Sequence, residues 1–436
     1  MVPLAFVGWP NLPGPPWLQE VVIKFAAAAL LILPFVSVWA MFSIWAERKV
    51  AGRMQSRHGP MRVGGWHGWL QSLADGIKLI GKEDLIPAEA DHVLFRLAPY
   101  LAFAPAFAAF FCLAWSRDLS GLTSTLNVGV FFLLAILGIE VLGVILAGWG
   151  SNNKWSVYGA MREACQMVSY EIPLGLAIIC AVMVAGTLNL YDVSIMQARG
   201  LTSWLAFHDP FNFLAFILYF VAALASCKRA PFDLPESESE LVAGYHTEYS
   251  GIRWSLFFFA EYAAMFVVAA IQTSLWLGAW YDPFGLVNYL EAHRFAADGS
   301  IAWNYMALAN GLGAGIFITK AVLLVLVQIW LRWTLPRMRI DQVLFMCVKV
   351  LLPVACLNLV AAAIYLWLVD PALPGGARNG DLVLFSQIVQ ITLAAIGVLV
   401  LAGIASLVAW AYVTRSKATF KVLYPNRGEL RTLPGA

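Results

Sequence analysis

Residues 229–249 read RAPFDLPESESELVAGYHTEY and carry five carboxylates, Asp233, Glu236, Glu238, Glu240 and Glu248. Three further acids, Glu140, Glu171 and Glu261, interrupt runs that are otherwise apolar: LGIEVLGVILAGWG, VSYEIPLGLAI and FFFAEYAAMF. Lys320 and Lys349 interrupt two more and are expected as buried cations, and Arg96 stands near the end of another run. A carboxyl withdrawn from water and crowded by like charge resists ionising, so it can take up and release protons near neutral pH. A row of such groups can relay protons or tie protonation to a change of shape. The plainer reading, structural ion pairing with buried cations, explains any one of these acids better than it explains the set.

The acidic segment also has a plainer reading, a solvated turn. Its neighbours Pro231, Phe232, Leu234, Leu241, Val242 and Tyr245 are too apolar for that, and only Lys228, Arg229 and Arg253 stand close in sequence to neutralise it. The segment is expected to pack around a cavity or against a partner protein. A helix over 236–240 would put Glu236 and Glu240 on one face, one turn apart.

The elements that hold these residues are membrane helices. The chain of 436 residues is 61% hydrophobic and 12% charged, with a mean hydropathy of +0.74. Repeated apolar runs of membrane-spanning length mark an all-α polytopic membrane protein, because lipid offers the backbone no hydrogen-bond partners. Nine spans are expected at 21–46, 92–116, 127–150, 164–187, 210–227, 254–280, 307–331, 342–369 and 382–413. The loops on one side of this arrangement, with the tail, hold twenty Lys and Arg; the loops on the other side hold only Arg117, Arg199, Arg294 and Arg378. By the positive-inside rule the N-terminus is outside and the C-terminus cytoplasmic. In the first cytoplasmic loop Trp66, Trp69, Leu70, Leu73, Ile77 and Ile80 recur at helical spacing, with Gln71, Asp75, Lys78 and Lys82 on another face. That pattern is an amphipathic helix lying in the interface, either as a surface anchor or as the wall of a site. Six cysteines without a CxxC pair, six scattered histidines and no Gly-rich phosphate loop leave no expected metal site and no cofactor ligated by this chain.

Three blocks resemble one known family: ERKVAGRMQSRHGPMRVGGWHGWLQSLADGIKLIGKEDLIP at 47–87, RAPFDLPESESELVAGYHTEYSGIRWSLFFFAEY at 229–262 and PRMRIDQ at 336–342. The chain resembles the H-type membrane protein of NADH-quinone oxidoreductase, the bacterial counterpart of mitochondrial complex I subunit 1, from about 21 to 369. The resemblance implies the membrane heel of a proton-pumping respiratory complex in the bacterial inner membrane. It implies a chamber for the quinone substrate near Glu47, Arg48, Arg57, Asp75 and Lys78. An acidic path through Glu236, Glu238, Glu240, Glu248, Glu261, Glu171 and Glu140 would lead away from it and couple quinone reduction to proton translocation. FMN and iron–sulfur clusters would belong to partner subunits, namely those of the hydrophilic arm at the quinone site; small membrane subunits and antiporter-like subunits would complete the set of neighbours, with lipid around them. The implied domains are an extracytoplasmic segment at 1–20, an eight-helix membrane domain at 21–369, and an extra helix with a basic tail at 370–436.

The chain also departs from the family's pattern. Pro235-Glu236-Ser237-Glu238 stands where Ala-Glu-Gly-Glu is common, and His246 stands where asparagine is usual. The 60–70 region carries one extra residue. Two rival readings stay open at this stage. One is the equivalent membrane subunit of a related membrane-bound hydrogenase or formate-oxidising complex; the other is a stand-alone ion transporter built from broken helices.

Overall fold

The computed structural model describes residues 26, 28–120, 126–293, 303–369, 387–396, 399, 403, 406, 421–423 and 430–432. By contact the chain divides into two compact units, 1–378 and 379–436. The expected N-terminal segment 1–20 lies outside the described residues.

Among the described residues the regular structure of the first unit is all helix. Its main elements are α1 (Leu33–Met54), α2 (Gln71–Ile80), α3 (His92–Phe111), α4 (Gly129–Gly150), α5 (Lys154–Ala185), α6 (Pro210–Ser226), α7 (Gly251–Trp276), α8 (Trp303–Thr334) and α9 (Leu352–Val369). Ile340–Leu344 runs through a π-helical stretch, Phe345–Leu351, into α9. Among the described residues seven helices are long and apolar enough to cross a membrane, and α6 is a shorter apolar helix beside them. The chain is therefore a multi-pass membrane protein. In the second unit the described part of the ninth expected span is α10 (Gln387–Ile396). The same unit holds a two-stranded antiparallel ribbon, β1 (Lys421–Leu423) with β2 (Leu430–Thr432), Lys421 opposite Thr432.

Helix ends follow the local chemistry. The Asp91 side chain accepts from the backbone N–H of Val93 and Leu94 to start α3. Asn153 does the same for Trp155 at α5, and Asp209 for Asn212 at α6. Each supplies an oxygen to N–H groups that the helix leaves unpaired. Among the described residues the two largest departures from the expected bounds are at the end of α1 and the start of α5. α1 continues through ERKVAGRM to Met54, since these are mostly good helix formers. α5 begins at Lys154, ten residues before the expected start, and carries the polar stretch SVYGAMREACQ as helix.

α7 is the core of the unit, with 72% of its most apolar stretch buried against 28–44% for the other spanning helices. It packs against α1, α3, α6 and α8. α3 lies along α4, and α5 lies along α6 and α9. The acidic segment follows α6 and is pressed onto α5. The fit is tight at Gly159, where a Cβ would stand 2.8 Å from the Tyr245 nitrogen and 2.9 Å from the Pro235 carbonyl oxygen.

Candidate functional site

A cavity of about 640 Å³ opens between the C-terminal half of α1, the loop after it, α2, α7 and the end of α8. Its wall is mixed. Ile44, Phe258 and Trp333 supply apolar surface, while Glu47, Arg48, Arg57, His58, Gln71, Tyr262 and Arg332 supply polar groups. Glu47, Arg48 and Arg57 thus line one cavity together. Asp75 stands behind Arg48, bonded to it at 2.5 Å and to Gln71 at 3.2 Å. Lys78 is exposed further along α2 and is not part of the wall. The apolar edge of α2 is uncovered in this chain, with Leu73, Ile77 and Ile80 all exposed. The helix itself spans only Gln71–Ile80, because the preceding GGWHGW turns through glycines at positive φ.

Glu47 joins the cavity to the interior. Its Oε2 accepts from Arg229 Nη1 at 2.7 Å and from the Tyr262 hydroxyl at 2.6 Å, and its Oε1 accepts from Arg332. Arg229, fully buried, also pairs through Nε with Glu261 and lies over the Tyr262 ring at 4.2 Å. The neighbouring residue serves a second cluster. Lys228 Nζ lies 3.0 Å from Glu140 Oε1 and 3.8 Å from Glu163 Oε1. Burial opposes the Lys228 charge, but the two carboxyls outweigh it and hold the ammonium above its ordinary pKa. Lys228 has φ +53°, a left-handed conformation that costs a non-glycine residue about 1–2 kcal/mol. That turn ends α6 and sends the side chains of residues 228 and 229 into different clusters.

The acidic segment is packed, but not as one helix. Glu236 precedes the short helix Glu238–Leu241, so it does not share a helical face with Glu240. The Glu238 side chain lies outside the described residues. Glu236 Oε1 accepts from the Tyr245 hydroxyl and contacts His246 Nε2, both at 2.7 Å. Burial alone would raise Glu236, yet the charge and hydrogen bond of His246 and the hydrogen bond from Tyr245 pull it down to about 2. Burial, then the Glu236 charge, push Asp233 up to about 6 despite its 2.9 Å pair with Arg337. Glu240 is exposed and paired with Arg162 at 2.6 Å, and Glu248 accepts from Asn153 at 2.5 Å. The neutralising cations are therefore Arg162 and Arg337, from elements distant in sequence, while His246, within the segment itself, is the partner of Glu236. Lys228 and Arg229 are turned instead toward the membrane acids, and Arg253 pairs with Asp84 at 3.0 Å.

The intramembrane acids part company. Glu140 and Glu261 are buried and paired. Glu171 is on an exposed face of α5, where it borders a small void of about 30 Å³ with Gly138, Tyr170 and Ser226. Of the two expected buried cations, Lys320 is half-buried and Lys349 is exposed. The Lys320 ammonium donates to the carbonyls of Leu277, Ala279 and Tyr281 at 2.5, 3.0 and 2.6 Å, closing the C-terminal end of α7. Lys349 is exposed because the π-helical stretch turns it outward.

Sequence reasoning passes over Glu163, which is completely buried on α5. A signal for it exists: Gly159, Glu163, Gln166 and Tyr170 recur every three or four residues on the inward face. Among the described residues no three His, Cys, Asp or Glu side chains come together in a way that could hold a metal ion. The arrangement suits an elongated amphipathic molecule in the cavity. A charge change beside Glu47 would act directly on Arg229, which Glu47 shares with Glu261.

The match to known proteins covers the whole of this region. A family model described as NADH dehydrogenase matches residues 26–363. The H-type chain of NADH-quinone oxidoreductase from Chlorobaculum tepidum is 45% identical over 340 residues, 77% of this chain and 91% of that protein. The corresponding protein of Anaeromyxobacter dehalogenans is 42% identical over 368 residues, 84% of this chain and 88% of that protein. That of a Geobacillus species is 42% identical over 351 residues, 80% of this chain and 96% of that protein.

Proposed function

The chain belongs to the NADH dehydrogenase family, among the H-type membrane proteins of NADH-quinone oxidoreductase, and from that premise we propose that it walls the quinone chamber of this complex and couples quinone reduction to proton translocation. One observation carries the reading: Glu47 lines the cavity and binds Arg229, which also pairs with Glu261, while Lys228 beside it pairs with Glu140. Reducing a quinone headgroup draws protons and changes charge at the cavity. Ionic groups in a low-dielectric interior respond strongly to such a change. Arg229 then redistributes between Glu47 and Glu261, and the acids beyond it take up or release protons. Arg48, steadied by Asp75 and Gln71, presents a cation to the headgroup, and Phe258 and Trp333 receive the apolar part.

FMN and iron–sulfur clusters reside in partner subunits of the hydrophilic arm, which docks on the side bearing the basic loops. Small membrane subunits and antiporter-like subunits receive the coupling through Glu140 and Glu171. The excess of Lys and Arg on one side supports a cytoplasmic C-terminus in a bacterial inner membrane. Residues 370–436 add an extra helix and basic tail that dock an accessory subunit or lipid.

The test is Glu→Gln at Glu236, Glu240 and Glu261 in the assembled complex. Quinone-linked turnover and proton pumping should fall while the complex still assembles; normal pumping in all three variants removes the reading. Arg48→Ala and Asp75→Asn should raise the KM for quinone, and unchanged quinone kinetics in both would contradict the chamber assignment.

A further inference from the structure

Glu163 lies on α5 with no solvent exposure, and neither of its carboxyl oxygens has a hydrogen-bond partner among the described residues. The facing cation is Lys228, 3.8 Å from Glu163 and 3.0 Å from Glu140 on α4. Arg162, one residue away, does not serve it, because its guanidinium bonds Glu240 and Ser237 outside this cluster. Tyr170 from α5 and Glu236 and Tyr245 from the acidic segment are the other titratable groups that interact with Glu163.

One ammonium thus stands between two buried carboxyls. With both ionised, the trio would carry a net negative charge, and the Glu163 carboxylate would have no hydrogen bond. A buried carboxylate without compensating hydrogen bonds is among the least favourable arrangements in a protein. One proton on the trio removes that imbalance. Glu140 already accepts from Lys228, so the proton belongs on the carboxyl without that bond.

We infer that Glu163 holds an exchangeable proton and that Lys228 passes from Glu140 to Glu163 as the proton moves the other way. At the start Glu140 is a carboxylate bound to Lys228 and Glu163 is a neutral acid. At the end Glu163 is the carboxylate bound to Lys228 and Glu140 carries the proton. The trio is neutral in both states, and the lysine's four-carbon stem covers the difference between the two distances. Glu163 is in these terms a positioning residue for coupling. The inference rests on the function proposed above and adds to it a proton site and a mobile cation.

The experiment uses the whole complex in membranes, with Glu163→Gln, Glu163→Asp, Glu140→Gln and Glu261→Gln. Glu163→Gln keeps NADH oxidation by an artificial acceptor but lowers quinone-linked proton translocation by about tenfold or more, in the range that loss of a proton-transferring group produces. Glu163→Asp recovers part of it. Infrared difference spectra should lose the carbonyl band of a protonated carboxylic acid in Glu163→Gln, and the band should shift in Glu163→Asp. Full pumping with an unchanged band in Glu163→Gln overturns the inference, and if Glu140→Gln and Glu261→Gln are impaired the functional reading survives. Full pumping in all of these variants sinks that reading itself. If Glu163→Gln fails to assemble, the band in Glu163→Asp decides: a shifted band supports the inference, and a band unmoved from wild type refutes it.

Discussion

Arg229→Gln is the most informative single change. Arg229 is 2% exposed and bridges Glu47 at 2.7 Å and Glu261 through a separate nitrogen. The glutamine leaves Glu47 with Arg332 and the Tyr262 hydroxyl. Glu261, however, loses the cation with which it is paired. Removing one member of a buried pair costs about 3–5 kcal/mol, because the other charge stays behind uncompensated. Tenfold in an equilibrium corresponds to about 1.4 kcal/mol, so the ratio of assembled to unassembled chain should fall by about two to four decades. Glu261→Gln alone removes a charge but leaves Arg229 bonded to Glu47, and should cost less, about 1–3 kcal/mol. Joining the two substitutions removes the orphaned charge. The double variant should be more stable than Arg229→Gln, which requires a coupling larger than the cost of Glu261→Gln alone, up to about 3 kcal/mol. The assay is the yield and thermal unfolding midpoint of the complex in mild detergent, compared across the four chains. If Arg229→Gln matches wild type, or if the double variant is no better than Arg229→Gln, the bridging account is wrong.

Two further predictions rest on the acidic segment. His246→Asn removes the imidazole partner of Glu236, so that carboxyl should rise from about 2 toward its ordinary 4.5. A depressed carboxyl adds stability that is present above 4.5 and lost as pH falls toward 2. In the variant that contribution shrinks, so stability near neutral pH falls and depends less on pH between 4.5 and 2, while the acid limb of the pH–turnover profile, which follows the native carboxyl, should move to higher pH; a limb that stays put would count against the pairing. Gly159→Ala sets two effects against each other. Alanine favours the helix by about 0.8–1 kcal/mol, but its Cβ would sit 2.8–3.0 Å from backbone atoms of Tyr245, Pro235 and Gly244. Overpacking costs about 1–3 kcal/mol, so the variant should lower the unfolding temperature and impair turnover, and a stabilised variant would refute the tight contact.

The helical spans were legible because hydropathy and backbone satisfaction are local properties of the chain. Glu140 and Glu261 could be placed inside the bilayer for the same reason. What sequence could not give was the partner of each acid. Lys228 and Arg229 follow directly on α6 and precede the acidic segment, so proximity in sequence assigns them to Glu236 and Glu240. The left-handed turn at Lys228 points them inward instead, and Arg162 and Arg337 arrive from α5 and the α8–α9 connection. Glu163 sits beside an arginine in a stretch of mixed polarity, YGAMREACQ, which reads as solvated until its three-to-four-residue register with Gly159, Gln166 and Tyr170 is noticed. Glu171 and Lys349 show the converse. An ionisable residue inside an apolar run still has to be assigned to a helix face, and both fall on outward ones.

The ordering of Lys228 before Arg229 has a mechanical meaning. A trans peptide is a stiff plate with its Cα atoms about 3.8 Å apart, and this one carries a load at each corner. A tug on the guanidinium tilts the plate and swings the ammonium stem. Splicing one extra residue between them would give each a hinge of its own, and the two ends of the lever would no longer feel each other.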